Sequence, residues 1–178
     1  PVLIVDKRLQ PESHSKALTI NTSSLKLLHD IGLAEGILET ARKVQHFYVH
    51  YAGKKFLHID FSTLSDEFNL VAMQPQAHTE QLLLDFFTEH GGRLAPGSEL
   101  VDIAAGRDCV RARVRSIGDG WQDIYTRFLI GCDGGHSVVR EHLQIGFRGH
   151  NYPMYFVMAD LEVEWDGPRQ HVDYFVRD

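Results

Sequence analysis

The chain is poor in cysteine, in clustered positive charge and in long apolar runs, and each shortage closes off a class of function. Its 178 residues hold two cysteines, Cys109 and Cys132, with no C-x-x-C pair. That excludes a disulfide framework or a cysteine zinc site and makes a reducing cytoplasm the expected setting. Eighteen Lys and Arg stand against 24 Asp and Glu, a net charge of −6, and no basic run occurs. Nucleic acids and anionic membranes need clustered cations to displace counterions, so neither is an expected partner. No apolar stretch approaches the ~20 residues of a bilayer span. Charge begins at Asp6, before any segment resembling a secretory leader. Three motifs are also missing: G-x-G-x-x-G, H-E-x-x-H and G-x-S-x-G. What is present is ordinary globular material, 43% hydrophobic, with aromatic and branched residues from end to end.

Val2 to Asp6 is a β-branched run without polar alternation, the pattern of a strand buried on both faces. Thr22-Ser23-Ser24 is a capping signal for a helix carrying Leu25, Leu28 and Ile31, stopped at Gly32. A second short helix is predicted over 33–40. A hairpin follows, with strands at 44–51 and 55–61 around Ala52-Gly53-Lys54. Another strand is expected at 69–73 and a helix at 78–90, closed by Gly91-Gly92. A meander is predicted over 100–104, 110–116 and 121–130, leading to Gly131-Cys132-Asp133-Gly134-Gly135 and a helix at 136–143. Two further strands are expected at 155–165 and 171–176. The order is α/β with a β-rich insertion. Nothing in the pattern closes the sheets, so the expectation is a piece of a longer architecture.

Two features bear on chemistry. An acid ending a buried parallel strand is placed to accept hydrogen bonds from ribose hydroxyls, and Asp6 holds that position; a turn-initiating Asp is the alternative. In Gly131 to Arg140 a strand enters a glycine-rich turn and then a helix. Glycines admit a ligand close to the backbone, a helix start offers N–H groups to an anion, and Asp133 can hold sugar hydroxyls. The eleven histidines are scattered; His46 and His50 share a strand face and read as hairpin surface, so no metal site is expected. Phe47, Tyr48, Tyr51, Phe56 and Phe61 read first as sheet packing.

Leu129 to Arg140 resembles the "DG" motif of the FAD-dependent aromatic (phenolic) hydroxylases, the single-component flavoprotein monooxygenases similar to p-hydroxybenzoate hydroxylase. Further segments match in order. Val2 to Lys7 resembles the family's second strand. Lys16-Ala17 with Leu25 to Leu28 and Ile31-Gly32-Leu33 resembles the loop and helix after it. Gln76, Glu80 and Leu83 resemble a Q-x-x-x-E-x-x-L helix start, Pro96 to Leu100 the strand passing the adenine, and Gly146 to Gly149 the link into the substrate domain.

The resemblance implies FAD as cofactor, NAD(P)H as co-substrate and a small aromatic molecule, phenolic or polycyclic, as the compound hydroxylated through a C4a-hydroperoxyflavin. It implies a partial FAD-binding, Rossmann-like domain over 1–43 and 69–149, and part of a β-rich substrate sheet over 44–68 and 150–178. Asp6 would bind the adenosine ribose. Lys16 would face the pyrophosphate where the family has Arg, a point charge in place of a planar fork. Gln76 would bond the FAD chain and Leu100 would offer main-chain groups to the adenine. Asp133 and Gly134 would line the meeting point of ribityl and NAD(P)H contacts, with Arg140 on the following helix or paired there with Glu141. The chemistry belongs to the cofactor, so no catalytic acid, base or nucleophile is nominated. The glycine fingerprint and the later "GD" segment of the family are absent from this sequence. Hence the 178 residues alone are expected to bind FAD weakly or not at all, and an open strand edge predicts self-association into a homo-oligomer. A non-catalytic remnant or interaction domain, and a related flavin halogenase or reductase, are the competing expectations.

Overall fold

The computed structural model describes residues 1–10, 17–155, 157, 159, 161, 162, 164 and 170–177. In chain order the elements are β1 (Leu3–Asp6), β2 (Thr19–Ile20), α1 (Thr22–Asp30), α2 (Ala34–Thr40), β3 (Arg42–Val44), β4 (His46–Tyr51) and β5 (Lys54–Asp60). There follow β6 (Val71–Met73), α3 (Gln76–Glu89), β7 (Arg93–Pro96), β8 (Ser98–Ala105), β9 (Val110–Ser116), β10 (Gly120–Thr126), α4 (Val138–His142) and β11 (His171–Val176). Single 3-10 turns lie at Phe61–Thr63 and Gly134–His136. The α/β reading holds. The chain divides into two compact units, residues 1–10 with 91–162, and 11–90 with 163–178.

In the first unit β1 pairs in parallel with β7, Leu3 opposite Arg93 and Asp6 opposite Pro96. β7 is a strand that composition did not reveal, because Arg93 and Pro96 interrupt its apolar pattern. Sequence led us to expect β1 buried on both faces, yet Leu3 and Ile4 are 43% and 44% exposed. Among the described residues its single ladder is with β7, so one edge and much of both faces meet solvent. β8, β9 and β10 form the expected antiparallel meander, with a bulge between Leu100 and Asp102. The third strand stops at Thr126 rather than near 130. Phe128 and Ile130 beyond it are strongly exposed, since no ladder carries the chain forward there.

The second unit holds the larger buried core. Leu25 of α1, Ala34 and Ile37 of α2, Phe68 and Ala72 close into one cluster, and Val44, Phe47 and Val71 into another. α1 begins one residue ahead of the expected cap: Asn21 accepts from the Ser24 N–H at 2.9 Å, so Thr22 is already helical. The predicted strand at 44–51 is really two. β3 pairs antiparallel with β6, whereas β4 pairs with β5 and, in parallel, with β11. Gln45 marks the switch, its side-chain amide donating to the Asn69 carbonyl and side-chain oxygen. The strand expected at 155–165 falls partly outside the described residues.

Candidate functional site

Asp6 is fixed by the residue two places on. Its Oδ1 accepts from the Arg8 N–H at 2.9 Å and its Oδ2 from the Arg8 guanidinium at 3.0 Å. These bonds hold the Asp6 carboxyl below the ordinary carboxylate range despite partial burial. The strand-terminal acid is therefore already neutralised by Arg8, a partner that the D-x-R spacing could have signalled. The Arg8 carbonyl in turn accepts from the Gly97 N–H, which ties the loop after β1 to the turn between β7 and β8.

Gly131 to Arg140 folds as a self-capped turn. The segment before it runs close against α4: a Cβ on Gly131 would lie 2.7 Å from Val139 Cβ, so glycine is required for the approach. Asp133 Oδ2 accepts from the Val138 N–H at 2.6 Å and the Val139 N–H at 3.3 Å. Its Oδ1 accepts from the Ser137 hydroxyl, and Ser137 Oγ accepts from the Arg140 N–H at 3.0 Å. The N–H groups expected to be open to an anion are thus satisfied by Asp133 and Ser137, a correction to the sequence reading. Desolvation pushes the Asp133 carboxyl upward, but the bonds from Ser137, Val139 and Val138 outweigh it and leave it lowered.

Gly134 is the open part of the turn. Its φ is +79°, a left-handed conformation, and apart from its own chain neighbours no heavy atom lies within 4 Å of where a Cβ would stand. Arg140 reaches back to the Gly134 carbonyl at 3.4 Å, sits 3.8 Å from Glu141 and lies 4.6 Å from the centre of the Phe147 ring. The Glu141 pairing considered from sequence is therefore present alongside a contact to the turn. Leu100 lies on β8 opposite Val114, beside the bulge that leaves Val101 outside the ladder register. β1 and α4 both pack on β8. Asp6, Leu100, Asp133, Gly134 and Arg140 thus belong to one unit. Gln76 belongs to the other, where its side chain donates to Glu80 at 2.8 Å. Lys16 lies outside the described residues.

A shallow concavity of about 740 Å³ on the meander is lined by Asp102, Arg113, Trp121 and Asp123 among others. Its charges are matched internally, Arg113 to Asp123 at 2.8 Å and Arg111 to Asp102 at 3.0 Å. The glycine turn is the better candidate. An open left-handed backbone with no Cβ in the way fits close approach by the sugar-phosphate portion of a dinucleotide.

A family model described as FAD binding domain matches residues 1–177. The chain belongs to this FAD-binding family of aromatic hydroxylases. Within the family, 6-methylpretetramide 4-monooxygenase of Streptomyces rimosus is 31% identical over 150 residues, 83% of this chain and 27% of that protein. The fold matches p-nitrophenol 4-monooxygenase of Pseudomonas putida with a TM-score of 0.80 at 15% identity, over 85% of this chain and 39% of that one. Aklavinone-11 hydroxylase, solved with FAD and aklavinone, superposes with a TM-score of 0.72 at 27% identity, over 84% of this chain and 31% of that one. The chain spans about a third of the length of the curated relatives it matches.

The cap of α4 gives a first expected result. A carboxyl lowered in the fold stabilises it fully above its unfolded value, near 3.8, and loses that contribution as pH falls through the lowered folded value. Asp133→Asn removes this dependence while its amide oxygen still accepts from the helix N–H groups, so stability near pH 6 should change little. Urea denaturation at pH 3 and pH 6 should show a smaller pH effect in the variant than in the parent; equal pH effects would mean that Asp133 is not the capping acid.

Proposed function

We propose that the chain is the FAD-facing part of a monooxygenase that hydroxylates a phenolic or polycyclic aromatic compound, with NAD(P)H as reductant. The observation that carries the reading is the Gly131 to Arg140 turn, whose Gly134 backbone is left-handed and open while Asp133 and Ser137 hold its shape. Bound FAD, once reduced, supplies the oxygen-activating chemistry. This chain's residues bind and orient. Gly134 admits the ligand to the backbone, Arg140 braces the turn through the Gly134 carbonyl, and Asp6, held by Arg8, offers its remaining acceptor capacity to a ribose hydroxyl. Leu100 presents main chain for the adenine beside the β8 bulge, and in the other unit Gln76 is assigned to the FAD chain and Lys16 to the pyrophosphate. The named activity of the relatives and the aromatic ligand in the aklavinone-11 hydroxylase complex support the substrate class. Residues 1–43 and 69–149 would face the cofactor, and 44–68 and 150–178 the substrate; pairing of β11 with the β4–β5 hairpin supports the second grouping.

The test is the visible spectrum of the natural gene product, followed by NAD(P)H oxidation with and without phenols and fused-ring aromatics. A flavin spectrum with substrate-stimulated NAD(P)H oxidation and a hydroxylated product is expected. A colourless product that does not take up added FAD would overturn the proposal.

A further inference from the structure

The β11–β4–β5 sheet has two unlike faces. Strand alternation directs Phe47 and Val172 to the buried cluster and places His46, Tyr48, His58, Asp60, His171 and Asp173 together on the other side. His46 stands opposite Asp60 in the ladder, and His58 opposite Tyr48. His46 Nδ1 lies 3.3 Å from His58 Nε2 and 3.4 Å from Asp60 Oδ1, and one ligand atom from each of the three lies within 4.8 Å of the others. Two ligand atoms on a tetrahedral ion with bonds of about 2.0–2.1 Å stand about 3.3–3.4 Å apart. The His46–His58 and His46–Asp60 pairs already hold that spacing.

We propose that His46, His58 and Asp60 form a site for one divalent transition-metal ion of the zinc class, with solvent completing the coordination. The surroundings suit it. Asp60 Oδ1 accepts from the Ser62 N–H at 2.9 Å and the Ser62 hydroxyl at 2.5 Å, the kind of outer hydrogen bonding that orients a ligating carboxylate. Tyr48 stacks on the His58 ring, centroids 4.5 Å apart at 16°, and restricts its rotation. His46 and Asp60 are 37% and 30% exposed, which leaves an entry path. The adjoining histidines are committed elsewhere: His50 Nε2 and His171 Nε2 each contact a different oxygen of Asp173, at 2.6 and 2.7 Å. Lys55 is engaged with the Tyr48 ring, its Nζ 3.9 Å from the centroid. Two imidazoles and one carboxylate favour Zn²⁺, Ni²⁺ and Cu²⁺ over Mg²⁺ and Ca²⁺. A bound ion would join β4 to β5, so it should stabilise the fold as well as bind.

Zinc chloride titrated into the full chain by calorimetry, with thermal unfolding in parallel, tests this. Saturation at one Zn²⁺ per chain with a raised unfolding temperature is expected, and no response to Mg²⁺ or Ca²⁺. His46→Gln and His58→Gln should each weaken binding by more than about 10-fold, and Ser62→Ala by about 10-fold. His150→Gln and His171→Gln should leave it unchanged. Asp60→Asn still accepts from Ser62 and serves if a histidine variant fails to fold; it should also lose binding. Zinc affinity that survives Asp60→Asn or the paired histidine replacement, equal losses in His150→Gln, or no saturable binding would each overturn the site.

Discussion

Ile37→Ala is expected to cost about 2–5 kcal/mol of stability, read from urea denaturation followed by circular dichroism. Ile37 has no exposed surface and packs with Leu25, Ala34, Phe68 and Ala72. Its helix cannot stand on its own propensity. α2 is seven residues long, contains Gly36, and begins at Leu33 without a side-chain cap. A helix that short is far below the length at which an isolated peptide is stable, so packing of Ala34 and Ile37 holds it in place. Truncating Ile37 removes apolar contact and leaves a void that α1 and Phe68 fill incompletely. The α1–α2 turn should loosen first, with faster amide exchange at Leu33 and Ala41, whose N–H groups bond to Leu28 and Ile37 carbonyls. A loss below about 1 kcal/mol would mean that the cluster collapses around the change and that α2 is not anchored by this residue.

Most of the second unit was legible because its elements are set by local signals. The 3.6-residue stripe of Leu25 and Leu28, the turn at Ala52-Gly53 and the Gly91 stop all act over a few residues, and the elements appear within a few residues of their expected limits. What failed was non-local. Val44 to Tyr51 is β-forming throughout, with no glycine or proline to interrupt it, yet Gln45 finds Asn69 and the strand divides between two sheets. β7 was missed since its pairing depends on β1, 90 residues away in sequence at every rung from Leu3–Arg93 to Asp6–Pro96. Burial of β1 was overestimated for the same reason: a β-branched run reports what a strand needs, and the neighbours decide whether it is covered.

The candidate site was legible as a motif and illegible as a network. Gly131, Gly134 and Arg140 stand out in sequence, and the turn brings Arg140 back onto the Gly134 carbonyl. The part played by Asp133 depends on orientation. Sequence offered its carboxylate to a ligand, whereas the fold turns it onto the Val138 and Val139 N–H groups and the Ser137 hydroxyl. The D-x-x-x-S spacing held that information, because an acid and a hydroxyl flanking a helix start are both capping residues. Nothing local announced that His46, His58 and Asp60 would meet. Their approach requires the hairpin register that sets His46 opposite Asp60.

Gly134→Val in the flavin-bearing protein is expected to lower FAD affinity by at least about tenfold, equivalent to about 1.4 kcal/mol, beyond its effect on stability. The two effects have separate causes. A β-branched residue at φ +79° is strained by about 1–2 kcal/mol whether or not a ligand is present. The affinity loss arises because the isopropyl group would occupy the space that leaves the Gly134 backbone open to a ligand. Gly118→Val separates them. Gly118 has φ +93° and is equally uncrowded, but it lies in the turn between β9 and β10, away from the Gly131 to Arg140 segment in sequence. Both variants should lose similar stability in thermal denaturation, and only Gly134→Val should lose flavin on dialysis. Equal retention of FAD by the two would show that the ligand does not approach the turn at Gly134, and the binding face would have to be sought elsewhere on the β8 side of the unit.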